Sequence, residues 1–499
     1  MFKAFILLFS GSMLGKLVGF LREILVATIF GTNTYISAYR VAQTATLIPV
    51  EMFLSNSLEA GFLPIYLRYI RNDKKMAQSF LGGIIMLFLL LSALVFAFIY
   101  WGASYWVSIL APGMDYQAKL LTSSMLKVTS VAVPLYILGA LLARLEMAYN
   151  KYLLASLRST IQSIGLVVGT LAAFYLKNAI FLAWGFVWAY MIYMLIAFLR
   201  LKKLNILKWP CDLSWKLIRE TLVLFWHTIK HVLFVPMLIQ TNIAVERIVA
   251  SLISVSVIAA VDYAKFISEI GMVLLAVPLG MVGIVTFSVQ DFSIVKQKLE
   301  QIMQLLLILV MPISLFIMYY HSDIIQVVYV RGAFDSVSAK ITGQILFGIS
   351  IGLWADILSY FLVKALYAQL RSKEVLIYTF VAVVMGILVK LLLYKRLGPL
   401  VLGLGVSVNA ITRCIFVIHA FGLIRPFYLS FMKIALGSLP YILMCYFISH
   451  LFTNISQLLY LMLSIALFII YWATYVLLNP QLRIHMSPLW EKVKGLIKR

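Results

Sequence analysis

The chain has 499 residues, of which 63% are hydrophobic and only 12% charged, with a mean hydropathy of +1.02. A soluble globular protein is nearer half apolar and a quarter charged, so a water-soluble fold is excluded and a polytopic membrane protein is implied. The formal charge of +23 sits in short basic clusters between apolar runs; this excludes a sustained nucleic-acid-binding face and fits cytoplasmic loops beside anionic lipid headgroups.

The first apolar stretch follows Lys3 and continues to Phe30, which reads as a membrane helix and not as a cleaved leader. It is the first of about fourteen predicted spans: 4–30, 34–67, 76–110, 117–145, 152–176, 178–200, 217–246, 250–287, 299–320, 337–368, 374–394, 398–424, 428–452 and 456–479.

In span 1, "GKLVGFLREILVATIFG" (15–31) holds three ionisable groups. At about 100° per residue, Lys16, Gly19 and Glu23 share one face, and Arg22 lies a quarter-turn from Glu23. Such groups at mid-bilayer cost a few kcal/mol and normally meet a partner or a wet cavity. Two readings stay open: helix-to-helix salt bridging with glycine packing, or the wall of a polar cavity.

Span 2 places Arg40 and Glu51 nearly eclipsed, with Gln43, Thr44 and Ser55 close to the same stripe. Pro49 between them is predicted to bend the helix or free a carbonyl.

In span 7, "FWHTIKHVLFVP" (225–236) sets His227 and His231 four apart with Lys230 between. No carboxylate, Cys or third His follows at ligand spacing, so a titratable cationic patch is favoured over a metal site. In span 8, "VDYAKFISEIG" (261–271) aligns Asp262, Lys265 and Glu269 on one face, either as a self-neutralising triad or as part of a cavity. Spans 10 to 12 add Asp356, Lys364, Lys390, Arg413 and His419.

Loop charge sets the expected topology. With the N-terminus inside, the loops at 68–75, 151–158, 200–219, 296–298, 371–373 and 425–433 hold most of the Lys and Arg. The opposite loops hold Lys119, Lys177, Arg247, Arg331, Lys340, Lys395 and Arg396. Both termini are therefore expected in the cytoplasm. "KWPCDLSWKLIRE" (208–220) and "SPLWEKVKGLIKR" (487–499) suit helices lying on the inner headgroups; a solvated tail is the other reading of the second.

An internal repeat runs at an offset of 220. "LLARLEMAYNKY" (141–152) falls against "FLVKALYAQLRS" (361–372), and "IFLAWGFVW" (180–188) against "LVLGLGVSV" (400–408). Two homologous six-helix halves with two appended helices follow. The expected divisions are 1–200, a linker at 201–220, 221–424, two further spans in 425–480 and a basic amphipathic tail at 481–499. Paired halves are the usual build of secondary transporters, with the substrate site between them.

The sequence has no P-loop and no catalytic constellation, so an enzyme is not expected, and no cofactor or metal is called for. Cys211, Cys414 and Cys445 fit no metal spacing and read as packing residues.

"GKLVGFLREILVATIFG" (15–31), "AGFLPIY" (60–66), "YVRGAFDSVSAKITGQILFGISIGLWADILSYFLVKALYAQLRSKE" (329–374) and "LGPLVLGLGVSVNA" (397–410), in that order and spacing, resemble the MurJ/MviN lipid II flippases of the multidrug/oligosaccharidyl-lipid/polysaccharide exporter superfamily. The resemblance implies a V-shaped, two-lobed fold that moves a pyrophosphate-bearing, lipid-linked saccharide across the bacterial inner membrane by alternating access. The family's first-helix cavity arginines map onto Lys16, a departure, and Arg22, a match, followed by Glu23. In the second helix the family's Asp-Ala-Phe reads Ser37-Ala38-Tyr39, and its arginine falls at about Glu51. Its eighth-helix cation falls near Lys265.

The expected function is thus a flippase for an undecaprenyl-pyrophosphate-linked saccharide, the peptidoglycan precursor lipid II foremost. Lys16, Arg22, Arg40 and Lys265 are expected to hold the headgroup, and Glu23, Glu51, Asp262 and Glu269 to pair those cations in the empty state or to couple an ion. His227, Lys230, His231 and Lys364 are secondary candidates; Gly19 and Pro49 are the packing and hinge positions. H⁺, Na⁺ or membrane potential would drive the cycle. A flippase for another lipid-linked glycan, a cation-coupled drug exporter and a non-transporting envelope scaffold are the alternatives.

Overall fold

A computed structural model of the chain describes residues 2–72, 74–206, 215–230, 232–271, 292–451 and 455–479. Among the described residues every regular element is a helix. Nine of the described helices are long and apolar enough to cross a membrane, or up to eleven spans result if each of two bent pairs is one. This is an all-α polytopic membrane protein. The basic tail at 487–499, residues 208–214 of the first interfacial segment, Cys211 and His231 lie outside the described residues.

Two compact units divide the chain. The first comprises Met1–Ala260 with Arg331–Ser338, the second Val261–Val330 with Ala339–Arg499.

In the first unit, α1 (Phe2–Phe30) ends at Gly31, whose φ of +55° is the left-handed turn that glycine adopts without strain. Asn33 then caps α2 (Thr34–Asn56) by accepting the Ile36 N–H at 3.1 Å. A π-helical turn, Ser57–Phe62, leads into α3 (Leu63–Asn72). The remaining helices are α4 (Lys74–Leu110), α5 (Tyr116–Ser130), α6 (Ala132–Ala148), α7 (Leu153–Tyr175), α8 (Ile180–Lys203), α9 (Trp215–Ile229) and α10 (Phe234–Ile253), with α11 (Val255–Gly271) crossing into the second unit. The 217–246 span expected from hydropathy is two helices, α9 and α10, bent by 61°. Helix α9 contains His227 and stops at Ile229.

Lipid tails are as apolar as leucine, so close backbone approach has to hold membrane helices together. The α7–α8 hairpin shows how. A Cβ on Gly165 would meet Gly185 O at 2.6 Å, and one on Gly169 would meet Gly185 Cα at 2.8 Å. Helix α2 is enclosed along its first half: Ile36, Ala38, Tyr39, Val41, Ala42 and Ala45 are fully buried. Pro49 lies inside α2 without ending it. Proline lacks an N–H, which leaves the carbonyl four residues back without its helical donor. That carbonyl is Ala45 O, and it accepts the Trp106 indole N–H of α4 at 3.0 Å.

The RGAF segment packs with the first unit. The Ala333 N–H donates to Thr28 O at 2.8 Å, and the Thr32 and Ser338 hydroxyls lie 2.7 Å apart. Asp335 accepts the Ser338 N–H at 2.8 Å, and the backbone and hydroxyl donors of Ser338 hold its carboxyl below the ordinary value of 3.8.

The second unit contains α12 (Phe292–Tyr319), α13 (His321–Tyr329), α14 (Ser336–Ala368, from Ala339 onward), α15 (Ser372–Leu397), α16 (Leu400–Ala420), α17 (Ile424–Leu451) and α18 (Gln457–Leu478). Leu299, Met303, Leu358, Phe361, Cys414 and Val417 sit in its main core. Cys445 packs with Phe316, Tyr320 and Tyr441 in a smaller one. Helices α15 and α16 form a hairpin like α7–α8: a Cβ on Gly386 would meet Gly405 O at 2.8 Å. Gly185 and Gly405 are 220 positions apart, the offset of the sequence repeat. The Ser407 hydroxyl ties α16 to α14, donating to Gly348 O at 2.5 Å and accepting from Gly352 N at 2.7 Å.

Candidate functional site

Helix α1 lies along α7 through Gly11 and Gly15; a Cβ on Gly15 would come within 3.2 Å of Thr160 Oγ1. That line of small residues brings Arg22 to α7, where its Nη1 donates to Ser163 Oγ at 3.2 Å. Arg22 Nη2 also reaches Glu23 Oε1 at 2.5 Å, and Arg40 Nη2 of α2 reaches Glu23 Oε2 at 2.5 Å. The Glu23 side chain keeps 2% of its surface exposed, Arg40 7% and Arg22 15%. One carboxylate thus bridges two guanidinium groups almost out of contact with solvent. The trio carries one positive charge in excess. In low dielectric such a cluster attracts an anion much more strongly than it would in water. The planar forks of both arginines match phosphate oxygens.

A second charged group lies further along α2. A cavity of about 140 Å³ is lined by Glu51, the π-turn Glu59, Arg144 of α6 and Arg158 of α7, among smaller apolar residues. The Tyr136 hydroxyl donates to Glu51 Oε1. Arg158 Nη2 stands 3.6 Å from the same oxygen, and its guanidinium lies over the Tyr136 ring at 4.3 Å. Arg144 Nη2 pairs with Glu59 Oε1 at 2.5 Å. Close by, Glu146 is fully buried, pairs with Arg200 and accepts the Leu154 N–H at 2.8 Å, which fixes the α6–α7 corner.

The other sequence candidates lie on several helices. Lys16 is half-buried and Gly19 buried on α1. Asp262 and Lys265 are half-buried and Glu269 exposed on α11. His227 is exposed on α9, with Lys230 Nζ 3.3 Å from its Nδ1. Lys364 lies over the Tyr360 ring at 5.4 Å. In the second unit Asp356 pairs with Arg413 at 2.6 Å, and Arg413 Nε donates to Ser359 at 3.1 Å. Asp356, Glu269 and Ser268 border a 40 Å³ cavity there.

Arg144, Arg158, Tyr136 and Ser163 were not singled out by sequence. Arg158 stands at a predicted loop and reads there as a topology charge. Arg247, also expected in a loop, is instead buried in α10, donating to Thr44 Oγ1 at 3.1 Å and to Ile258 O at 2.9 Å. A Pro in the first turn of the coming helix, Pro236, was the available signal that α10 starts anew near 234 and carries through Arg247.

The sequence profile of the family described as lipid II flippase MurJ matches residues 26–481. The chain belongs to that family. A probable lipid II flippase MurJ of Thermotoga maritima is 23% identical over 413 residues, covering 81% of this chain and 82% of the relative. Among solved structures, a lipid II flippase MurJ in an inward closed conformation superposes with a TM-score of 0.81 at 21% identity, covering 94% of this chain and 98% of that one. A Vibrio cholerae MATE transporter superposes at 0.60 and 14% identity, covering 84% and 96%. The MurJ fold is therefore shared nearly end to end, and the MATE fold more loosely.

Proposed function

We propose that this protein translocates lipid II, the undecaprenyl-pyrophosphate-linked peptidoglycan precursor, across the inner membrane by alternating access. Membership of the lipid II flippase MurJ family supports the substrate class. The observation that carries the site is the buried Arg22–Glu23–Arg40 trio, with two guanidinium forks and an excess positive charge. Arg22 and Arg40 bind the pyrophosphate, and Glu23 holds them in place when it is absent. Lys16, lower on α1, and Lys265 on α11 are the further cations proposed to meet the headgroup. A flippase moves its cargo without making or breaking a covalent bond, so no residue is assigned a catalytic role. Coupling to H⁺, Na⁺ or membrane potential is proposed through Glu51, Asp262 and Glu269. Both termini are proposed to lie in the cytoplasm, a reading that the distribution of basic loops supports.

The test is depletion of the protein followed by identification of the lipid-linked intermediate that accumulates on the inner leaflet, with complementation by variants. Lipid II should accumulate, and Arg22→Ala or Arg40→Ala at normal protein levels should fail to clear it. Accumulation of a different lipid-linked glycan would replace the substrate. Full complementation by the double variant would remove the trio from the transport path.

A further inference from the structure

We propose that the cavity between α2, the π-turn, α6 and α7 is a second binding subsite for a phosphate-class anion, in which Arg144 and Arg158 take the ligand and Glu59 is the counter-ion it displaces. The proposal rests on the reading of the protein as a carrier of a phosphate-bearing lipid.

Four features point to an anion. The two guanidinium groups line one cavity of about 140 Å³ together with Glu51 and Glu59. Each guanidinium is fixed by something other than its carboxylate: Arg158 lies over the Tyr136 ring at 4.3 Å, and Arg144 Nη1 is 3.2 Å from Met147 Sδ. Arg158 approaches Glu51 to 3.6 Å, a looser pair than the 2.5 Å one between Arg144 and Glu59. The Arg144 partner, Glu59, has 59% of its side-chain surface exposed, against 24% for Arg144.

The two acids therefore have different parts. Glu51 is held by the Tyr136 hydroxyl and stays. Glu59 sits on the π-helical turn Ser57–Phe62, a rare backbone form frequent at functional sites, and its side chain is already 59% exposed, so it is the partner that an incoming anion displaces. Its departure leaves the paired arginines presenting their forks to the cavity.

The test uses the full-length protein in neutral phosphatidylcholine nanodiscs, titrated with three probes: a polyprenyl pyrophosphate, phosphatidylglycerol and inorganic pyrophosphate. Arg158→Gln and Arg144→Gln should each weaken binding of the polyprenyl pyrophosphate by about tenfold or more. Glu59→Gln, which removes the competitor, should tighten it. Arg158→Lys keeps the charge and loses the fork, so partial recovery separates ligand binding from loss of fold. Displacement by inorganic pyrophosphate would identify the phosphates alone as the recognised part, and displacement by phosphatidylglycerol a general lipid headgroup; both retain the anion subsite. Wild-type affinity in Arg144→Gln and Arg158→Gln, with binding lost in Arg22→Gln, would overturn the subsite and leave the proposed function standing. Weaker binding in Glu59→Gln would overturn it too. A wild-type protein that binds none of the three probes would sink both.

Discussion

Replacing Trp106 by Phe tests the account of Pro49. In the native protein the proline withholds one N–H, and the Trp106 indole supplies the missing donor to Ala45 O at 3.0 Å. Ala45 is fully buried, so no water stands ready to substitute. Trp106→Phe leaves that acceptor unsatisfied, which costs about 1–3 kcal/mol on top of the smaller ring's lost contacts. Pro49→Ala restores a backbone N–H at the right place in the α2 ladder. In that background the carbonyl has its helical donor, and Trp106→Phe should cost only the packing. A double-mutant cycle therefore predicts a coupling of about 1 kcal/mol or more between two residues on different helices. The assay is reversible denaturant unfolding in mixed micelles, followed by tryptophan-independent far-ultraviolet dichroism. Additive effects, within about 0.3–0.5 kcal/mol, would refute the claim that the indole replaces the proline's absent donor.

Glu23→Gln removes the carboxylate that Arg22 and Arg40 share, and breaking a buried ion pair at one partner costs about 3–5 kcal/mol, so a large drop in unfolding midpoint is expected. Glu23→Gln combined with Arg40→Gln should be less destabilised than Glu23→Gln alone; equal or greater loss in the double variant would contradict the bridging role. The folded-state carboxyl of Asp335 lies below its ordinary 3.8, so its stabilisation is complete above that value and fades as pH falls through the folded value. The protection factor of the Ser338 amide, measured against intrinsic exchange at each pH, should fall over that acidic window, and Asp335→Ala should abolish that fall; an unchanged protection profile in Asp335→Ala would assign it elsewhere.

Much of the fold follows directly from the residues. A hydropathy above unity forces helices, and the α1–α2 corner is written in Gly31 and Asn33. The charged stripe of α1 and the Arg40–Glu51 stripe of α2 are visible because a helix turns by a fixed angle. Their partners are another matter. Which carboxylate Arg40 would choose depends on how two helices are rotated about their axes, and periodicity does not carry that. Arg158 illustrates the same limit: a long side chain starting near a helix end can fold back over an aromatic ring, and a count of loop charges treats it as solvated. The α9–α10 bend was hidden because apolar residues continue on both sides of the short 230–233 connection, which contains no glycine or proline.

The glycine crossings at Gly165–Gly185 and Gly386–Gly405 bring backbones so near that neither hairpin has room to shear internally. Each is therefore built as a stiff paddle. Any flexing that a transport cycle demands in the first unit is left to places where the ladder is already irregular, the π-turn at Ser57–Phe62 and the 41° bend between α5 and α6. Stiffening either joint, rather than altering any charged group, would be the gentlest way to stall the machine without touching what it carries.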